Sequence, residues 1–266
     1  MMETTMTPRV LILITDGINC NVETGRAFRL AGSECDEVHL NTILANPEII
    51  HNYHILAFPG GFSYGDDIKS GKVLSYKLLD IKEDLQKFYN DGKLFIGICN
   101  GFQVITTLGI TPYNNLGNPN ISLYWNNSAK FECRWVDLKV SETVKSPWLK
   151  GMGGKTIKIQ AAHAEGRLLT ETDEEYQRLF DNNLVAFQYL DKEGKVTEEY
   201  PFNPNGSKRG VAGIVDINGQ VLGMMPHPER NIEKFHHPDF RNLDEEYIPD
   251  GLQIFINGVN YIKSKF

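Results

Sequence analysis

Leu94-Phe95-Ile96-Gly97-Ile98-Cys99-Asn100-Gly101-Phe102-Gln103 reads as a strand, a sharp turn and the first turn of a helix. Leu94 to Ile98 is apolar without alternation, the pattern of a strand covered on both faces in a parallel sheet. Gly97-Ile98-Cys99-Asn100-Gly101 has the form of a nucleophile elbow, a strand-to-helix turn that needs small residues on both sides of the nucleophile. A helix is then expected to run to Leu108. Cys99 would lie at its N-terminus, where the dipole favours a thiolate and backbone N–H groups can receive an oxyanion. A lone cysteine in such a place is also an ordinary buried apolar residue. The chemical reading therefore needs a base from elsewhere in the chain.

Working outward, Val10–Ile14 and His54–Phe58 are similar apolar runs, and Thr24–Leu30 and Val73–Tyr89 carry helix-compatible patterning, the second closed by Asp91-Gly92. This is an α/β layout. Thr111 to Asn120, rich in Pro, Gly and Asn, reads as an irregular connection. The second half is expected to be richer in β structure. Its candidate strands are Phe131–Val140, Thr156–Ala161, Leu184–Leu190, Val211–Val215 and Val221–Met225, with Leu252–Ser264 as a closing helix. With no internal repeat, low-complexity tract or linker, residues 1–266 are expected to form a single domain.

Met224-Met-Pro-His-Pro-Glu-Arg230 supplies the base. Pro226 and Pro228 restrict the backbone that presents His227, and Glu229 is in reach as its orienting acid, which suggests a Cys99-His227-Glu229 triad. A surface histidine near a helix N-terminus is the competing description of this segment. His163, in Ala162-His163-Ala164-Glu165-Gly166-Arg167, is a competing base without bracketing prolines. Pro59-Gly60-Gly61-Phe62-Ser63-Tyr64-Gly65-Asp66 follows another parallel strand, so it should share the carboxyl edge with Cys99. The Gly60-Gly61 pair lets the backbone approach a substrate, and its N–H groups are candidate oxyanion donors beside that of Asn100; a plain glycine turn has the same composition.

The chain of 266 residues has 41% hydrophobic residues and a formal charge of −7, with a pI near 5.5. That balance gives no electrostatic footprint for nucleic acid or an anionic membrane, so small molecules or another protein are the expected partners. Met1 to Pro8 lacks a basic region, and Val10–Ile14 is too short for a signal core or a span, so a cytoplasmic protein is expected. Four scattered cysteines, Cys20, Cys35, Cys99 and Cys133, show no CxxC spacing and read as free thiols. The Asn-x-Ser matches at Asn120, Asn126 and Asn205 carry no weight in a chain that is not secreted. His51 with His54, and His236-His237, lack a ligand cluster, and no metal is expected. Gly153-Gly154-Lys155-Thr156 resembles the end of a phosphate-binding loop, but Leu149 stands where its first glycine is needed.

At these residues the chain resembles the class I glutamine amidotransferases, whose members share a strand-end nucleophilic cysteine and a His-x-Glu pair on a flavodoxin-like, open and mostly parallel sheet flanked by helices. Within that class, Phe58–Asp66, Gly97–Gln103 and Met224–Arg230 are similar to the glutaminase subunits of phosphoribosylformylglycinamidine synthase. Asn126–Arg134, Ala162–Arg167 and Tyr200–Ser207 extend the similarity over nearly the whole chain, with Ala164 where that family more often has glycine. The resemblance implies that Cys99 is the nucleophile, His227 the base and Glu229 its orienting acid. Gly61 and the Asn100 amide would lie near the oxyanion, and Gln103 near the side chain of the substrate glutamine. It also implies a separate synthetase subunit, which uses ATP and magnesium, receives the ammonia and converts formylglycinamide ribonucleotide to its amidine in purine biosynthesis. A small accessory subunit is a further implied partner; no cofactor is implied for this chain. The alternatives are an amidotransferase subunit of another pathway, a flavodoxin-like cysteine protease or stress protein, and a non-enzymatic regulator. Several of the second group place His directly after the elbow cysteine, where this chain has Asn100.

Overall fold

In a computed structural model, which describes residues 6–266, strands and helices alternate through the first part of the chain: β1 (Arg9–Ile14), α1 (Asn21–Leu30), β2 (Glu34–His39), α2 (Leu40–Ala45), β3 (Ile55–Phe58), α3 (Lys72–Leu78), α4 (Lys82–Asn90), β4 (Leu94–Ile98) and α5 (Asn100–Leu108). The remainder is richer in strands: β5 (Ile121–Trp125), β6 (Glu132–Val140), β7 (Thr156–His163), β8 (Glu165–Thr170), α6 (Asp173–Asp181), β9 (Val185–Leu190), β10 (Val211–Val215), β11 (Val221–Met224) and α7 (Asp250–Lys265). Residues 1–5, which open the Met1 to Pro8 stretch, lie outside the described residues. Among the described residues no helix is long and apolar enough to cross a membrane.

A nine-stranded sheet has the order β2-β1-β3-β4-β11-β10-β9-β6-β7, and β5 pairs with β8 in a separate ribbon. From β2 to β11 every neighbour is parallel. This is the flavodoxin-like order, with the fifth place taken by a strand from late in the chain. β10, β9, β6 and β7 extend the sheet with antiparallel pairs. All residues of β3, β4 and β11 are buried, as strands covered by helices on both faces must be. Each fully buried aromatic such as Phe28, Phe88 or Phe95 contributes about 1.5–3 kcal/mol of burial free energy.

The carboxyl ends of four adjacent parallel strands meet at one place. β1 leads to Cys20, β3 to Gly60-Gly61, β4 to Cys99 and β11 to His227. Close helix-to-sheet packing brings the helix after Cys99 onto the strands. A Cβ at Gly101 would fall 1.7 Å from the Phe58 carbonyl oxygen, and one at Gly97 would fall 2.7 Å from that of Gly101. Both flanking glycines of the elbow are thus required by contact distance.

Five elements were not expected from the pattern. β2 is an exposed-edge strand with sequence Glu-Cys-Asp-Glu-Val-His and one buried residue, so it carries no apolar run. β5 and β8 stabilise each other across the ribbon, a non-local pairing with no local signature. α2 is a six-residue helix. α6 is capped by Thr172, whose side chain accepts the Glu175 N–H, with the Glu175 carboxylate returning to the Glu171 N–H. The expected Val73–Tyr89 helix is two helices separated by the 3₁₀ segment Leu79–Ile81; no proline or glycine marks that break.

Candidate active site

Cys99 occupies the turn between β4 and α5 with φ 52° and ψ −106°. A non-glycine residue there stores strain, of order 1–3 kcal/mol, and is held by its surroundings. Its N–H donates to the Met224 carbonyl at 2.9 Å and its carbonyl accepts from Gln103 N–H at 3.1 Å. Cys99 is buried, with 7% of the residue exposed, and its sulfur lies 3.6 Å from the Ala162 carbonyl oxygen. Asn100 is the first residue of α5, so its N–H has no intrahelical partner and remains available near Cys99.

His227 follows β11, and its N–H donates to the Gln160 carbonyl at 2.8 Å, which fixes the loop across to β7. His227 Nδ1 and Glu229 Oε1 are 2.6 Å apart, with side-chain exposures of 2% and 0%. The carboxylate can only accept, so Nδ1 carries the proton and Nε2 is the atom left for chemistry. Burial acts to lower the His227 pKa, but the Glu229 carboxylate, reinforced by the Cys99 and Cys20 thiols, holds it well above its ordinary value. The imidazolium form is therefore favoured in the resting site.

Cys20 is a second buried thiol in the same place. Arg230 Nη2 donates to its sulfur at 3.4 Å, and one ligand atom each from Cys20, His227 and Glu229 lie within 4.8 Å of one another. Metal-like spacing is met, but Nδ1 and Oε1 already bond each other, and the Arg230 cation beside the sulfur opposes a second positive charge. These residues fit a proton-handling group better than a metal cage.

His163 has a different character. Its Nδ1 lies 3.1 Å from Asn126 Oδ1, while Asn126 Nδ2 donates to the carbonyls of Lys130 and His163. The amide orientation makes Oδ1 the acceptor, so Nδ1 bears the hydrogen and Nε2 is a bare acceptor. Burial, with a lesser contribution from His227, pushes the His163 pKa down to about 3. It has a neutral amide where His227 has a carboxylate, which favours His227 as the base.

A cleft of about 470 Å³ opens over Cys99 and His227 and is lined by both, together with Cys20, Gly61, Asp66, Gln103, His163, Glu165 and Arg230. Of the glycine pair, Gly61 faces the cleft with φ 148°, and a Cβ there would fall 2.7 Å from the Gly17 carbonyl oxygen. Gly60 stands behind it: a Cβ would meet His227 Cε1 at 2.7 Å and Cys20 Sγ at 3.1 Å. Asn100 is fully buried behind the wall. Its side chain accepts from Ser63 N–H and donates to Asp66 and to Gln103 Oε1, tying the glycine loop to the elbow helix. Gln103 is on the wall, with Nε2 donating to the Glu165 carbonyl at 2.5 Å. Glu229 is absent from the lining because it lies beneath His227.

Sequence reasoning did not assign Cys20, Asp66, Glu165 or Arg230. Cys20 had a usable signal, since the loop after β1 opens at the same carboxyl edge; Glu165 had none beyond its neighbour His163.

The profile of the CobB/CobQ-like glutamine amidotransferase domain matches residues 7–262. Phosphoribosylformylglycinamidine synthase subunit PurQ of Methanococcus maripaludis strain C5 is 40% identical over 270 residues, covering 96% of this chain and 99% of that protein. The subunit of the same name from Dehalococcoides mccartyi is 42% identical over 258 residues, covering 96% and 98%. A chain of the PurLQS structure from Thermotoga maritima superposes with a TM-score of 0.72 at 30% identity, covering 97% of this chain and all of that one.

Proposed function

From the premise that this chain belongs to the CobB/CobQ-like glutamine amidotransferase family, we propose that it is the glutaminase subunit of phosphoribosylformylglycinamidine synthase and that Cys99, His227 and Glu229 are its catalytic triad. The observation that carries the chemistry is the strained Cys99 elbow beside a buried His227–Glu229 pair. Near-full-length similarity to proteins named as that subunit supports the pathway.

The reaction follows from the geometry. The Cys99 thiolate attacks the side-chain carboxamide carbon of glutamine, and the Gly61 and Asn100 N–H groups receive the developing oxyanion. Protonated His227 gives its Nε2 proton to the departing nitrogen, releasing ammonia and leaving a γ-glutamyl thioester. Neutral His227 then removes a proton from water, which attacks the thioester; the Cys99 sulfur departs as the thiolate beside the reprotonated His227, and glutamate leaves after losing its acid proton to solvent. Glu229 keeps Nδ1 protonated throughout, so that Nε2 alternates between acid and base. On this reading ammonia passes to a separate synthetase subunit, where ATP and magnesium activate formylglycinamide ribonucleotide for conversion to the amidine. No cofactor is needed in this chain for the glutaminase half.

The test is reconstitution of this chain with the synthetase subunit, glutamine, ATP, magnesium and formylglycinamide ribonucleotide. Amidine formation from glutamine that is lost in Cys99→Ala but restored with added ammonium supports the reading. Amidine formation by Cys99→Ala from glutamine would overturn it.

A further inference from the structure

Cys20 is buried at the wall of the cleft, and the glutaminase chemistry gives it no step. It occupies the N-cap of α1, a place where Ser, Thr, Asp or Asn ordinarily bonds the open N–H groups of the first turn, yet its side chain makes no capping bond. Its backbone is held on both sides. The Cys20 N–H donates to the Gly60 carbonyl at 3.1 Å, and the Cys20 carbonyl accepts from the Thr24 N–H at 3.1 Å and from Thr24 Oγ1 at 2.6 Å. The sulfur is therefore aimed by its backbone. Its hydrogen goes to Asn19 Oδ1 at 3.2 Å, which leaves the lone pairs to accept Arg230 Nη2 at 3.4 Å.

Arg230 has a second anchor, Nη1 donating to Gln160 Oε1 at 3.2 Å. Gln160 in turn accepts the His227 N–H through its backbone carbonyl at 2.8 Å. These contacts close a ring around the histidine, from His227 to Gln160, Arg230, Cys20 and Gly60. Gly60 returns it to the imidazole: a Cβ there would stand 2.7 Å from His227 Cε1 and 3.1 Å from Cys20 Sγ. The sulfur is the link between two loops. One follows β3 and carries Gly61; the other follows β11 and carries His227.

We propose that Cys20 is a positioning residue, whose sulfur ties Arg230 to the glycine loop and so keeps His227 and the Gly61 N–H at one spacing around Cys99. This rests on the glutaminase reading above. It accounts for a thiol that stands at a capping position without capping. It also separates the two buried thiols, because the Cys20 lone pairs are occupied by Arg230 while Cys99 faces the substrate. A methyl group in place of the thiol has no acceptor for Arg230. A hydroxyl has one, on a shorter bond to carbon.

The test is glutamine hydrolysis in the complex with the synthetase subunit, ATP, magnesium and formylglycinamide ribonucleotide. Wild type is compared with Cys20→Ala, Cys20→Ser, Arg230→Met and the Cys20→Ala, Arg230→Met double variant, and thermal unfolding verifies that each is folded. A displacement on the order of 1 Å costs about 100-fold in rate, so the loss of one tie in the ring is expected to lower kcat about 10-fold in Cys20→Ala, with KM near its wild-type value. Cys20→Ser should retain more activity than Cys20→Ala. Once Arg230 is methionine, Cys20→Ala should change kcat no further, as for two groups that act through one contact. Wild-type kcat in Cys20→Ala, a rise in KM alone, or effects of the two substitutions that multiply would overturn the role. Should Cys20→Ala not fold, Cys20→Ser with and without Arg230→Met completes the same cycle. Absence of Cys99-dependent glutamate release from the wild-type complex would overturn the glutaminase reading and this role with it, whereas an active wild type matched by Cys20→Ala overturns the positioning role alone.

Discussion

His227 Nδ1 and Glu229 Oε1 are 2.6 Å apart in a place where both side chains are almost wholly closed to solvent. Proline on each side of His227, the Gln160 carbonyl on its N–H and Gly60 against its ring hold the imidazole in one orientation. The pair therefore sets both which nitrogen reacts and how readily the ring is charged.

Glu229→Gln should lower the glutaminase kcat by about 10³-fold or more, as loss of the orienting carboxylate does in hydrolytic triads. A decrease under tenfold, measured as glutamate release, would show that Glu229 is not the orienting acid.

The same pair shapes the pH dependence of stability. A histidine whose folded pKa is raised stabilises the fold fully below its unfolded value of about 6.5, and that contribution is lost as pH rises through the folded value, which here lies well above 6.5. Urea unfolding from pH 6 to 10 should show a decline with pH that Glu229→Gln reduces. Parallel declines in the two proteins would contradict the pair's role.

His163 acts in the opposite direction. Its folded pKa is held down to about 3, so below about pH 6.5 the unfolded chain takes up the proton first and stability falls as pH drops toward 3. His163→Gln should weaken this acid sensitivity and leave the pH midpoints of kcat/KM unmoved, because the ring stays neutral over the working range. A shifted midpoint would identify His163 as a titrating base.

Gly60→Ala introduces a methyl group only 2.7 Å from His227 Cε1. A displacement on the order of 1 Å is enough to cost about 100-fold in rate, while the overpacking itself costs about 1–3 kcal/mol. The expected protein is folded, with kcat reduced far more than KM is raised. Full activity would mean that the His227 ring position is not critical.

At Cys99, φ 52° and ψ −106° favour glycine. Cys99→Gly and Cys99→Ala should both be inactive, with the glycine variant about 1 kcal/mol the more stable from relief of backbone strain. Chemical denaturation measures the difference, and a more stable alanine variant would argue against strain at the elbow.

The parallel half of the fold was legible because its strands are continuous apolar runs and because Gly97 and Gly101 bracket a cysteine. The β5–β8 ribbon was not, because its stability comes from pairing between Ile121–Trp125 and Glu165–Thr170, far apart in the chain. β2 escaped notice because an edge strand can remain polar. At the site, local motifs marked Cys99, His227 and Glu229. The places of Gly60 behind His227 and of Cys20 beside Arg230 depend on how four strand ends converge, which no single segment displays.

The most direct measurement of the triad is labelling by a diazoketone analogue of glutamine, followed by peptide mapping, in wild type, His227→Asn and Glu229→Gln. Cys99, Cys20 and Cys133 all line the cleft, so the protein contains its own competing thiols. The account predicts one adduct on Cys99, blocked by glutamine and formed much more slowly in both variants. Labelling chiefly at Cys20 or Cys133, or a Cys99 rate indifferent to His227 and Glu229, would contradict it.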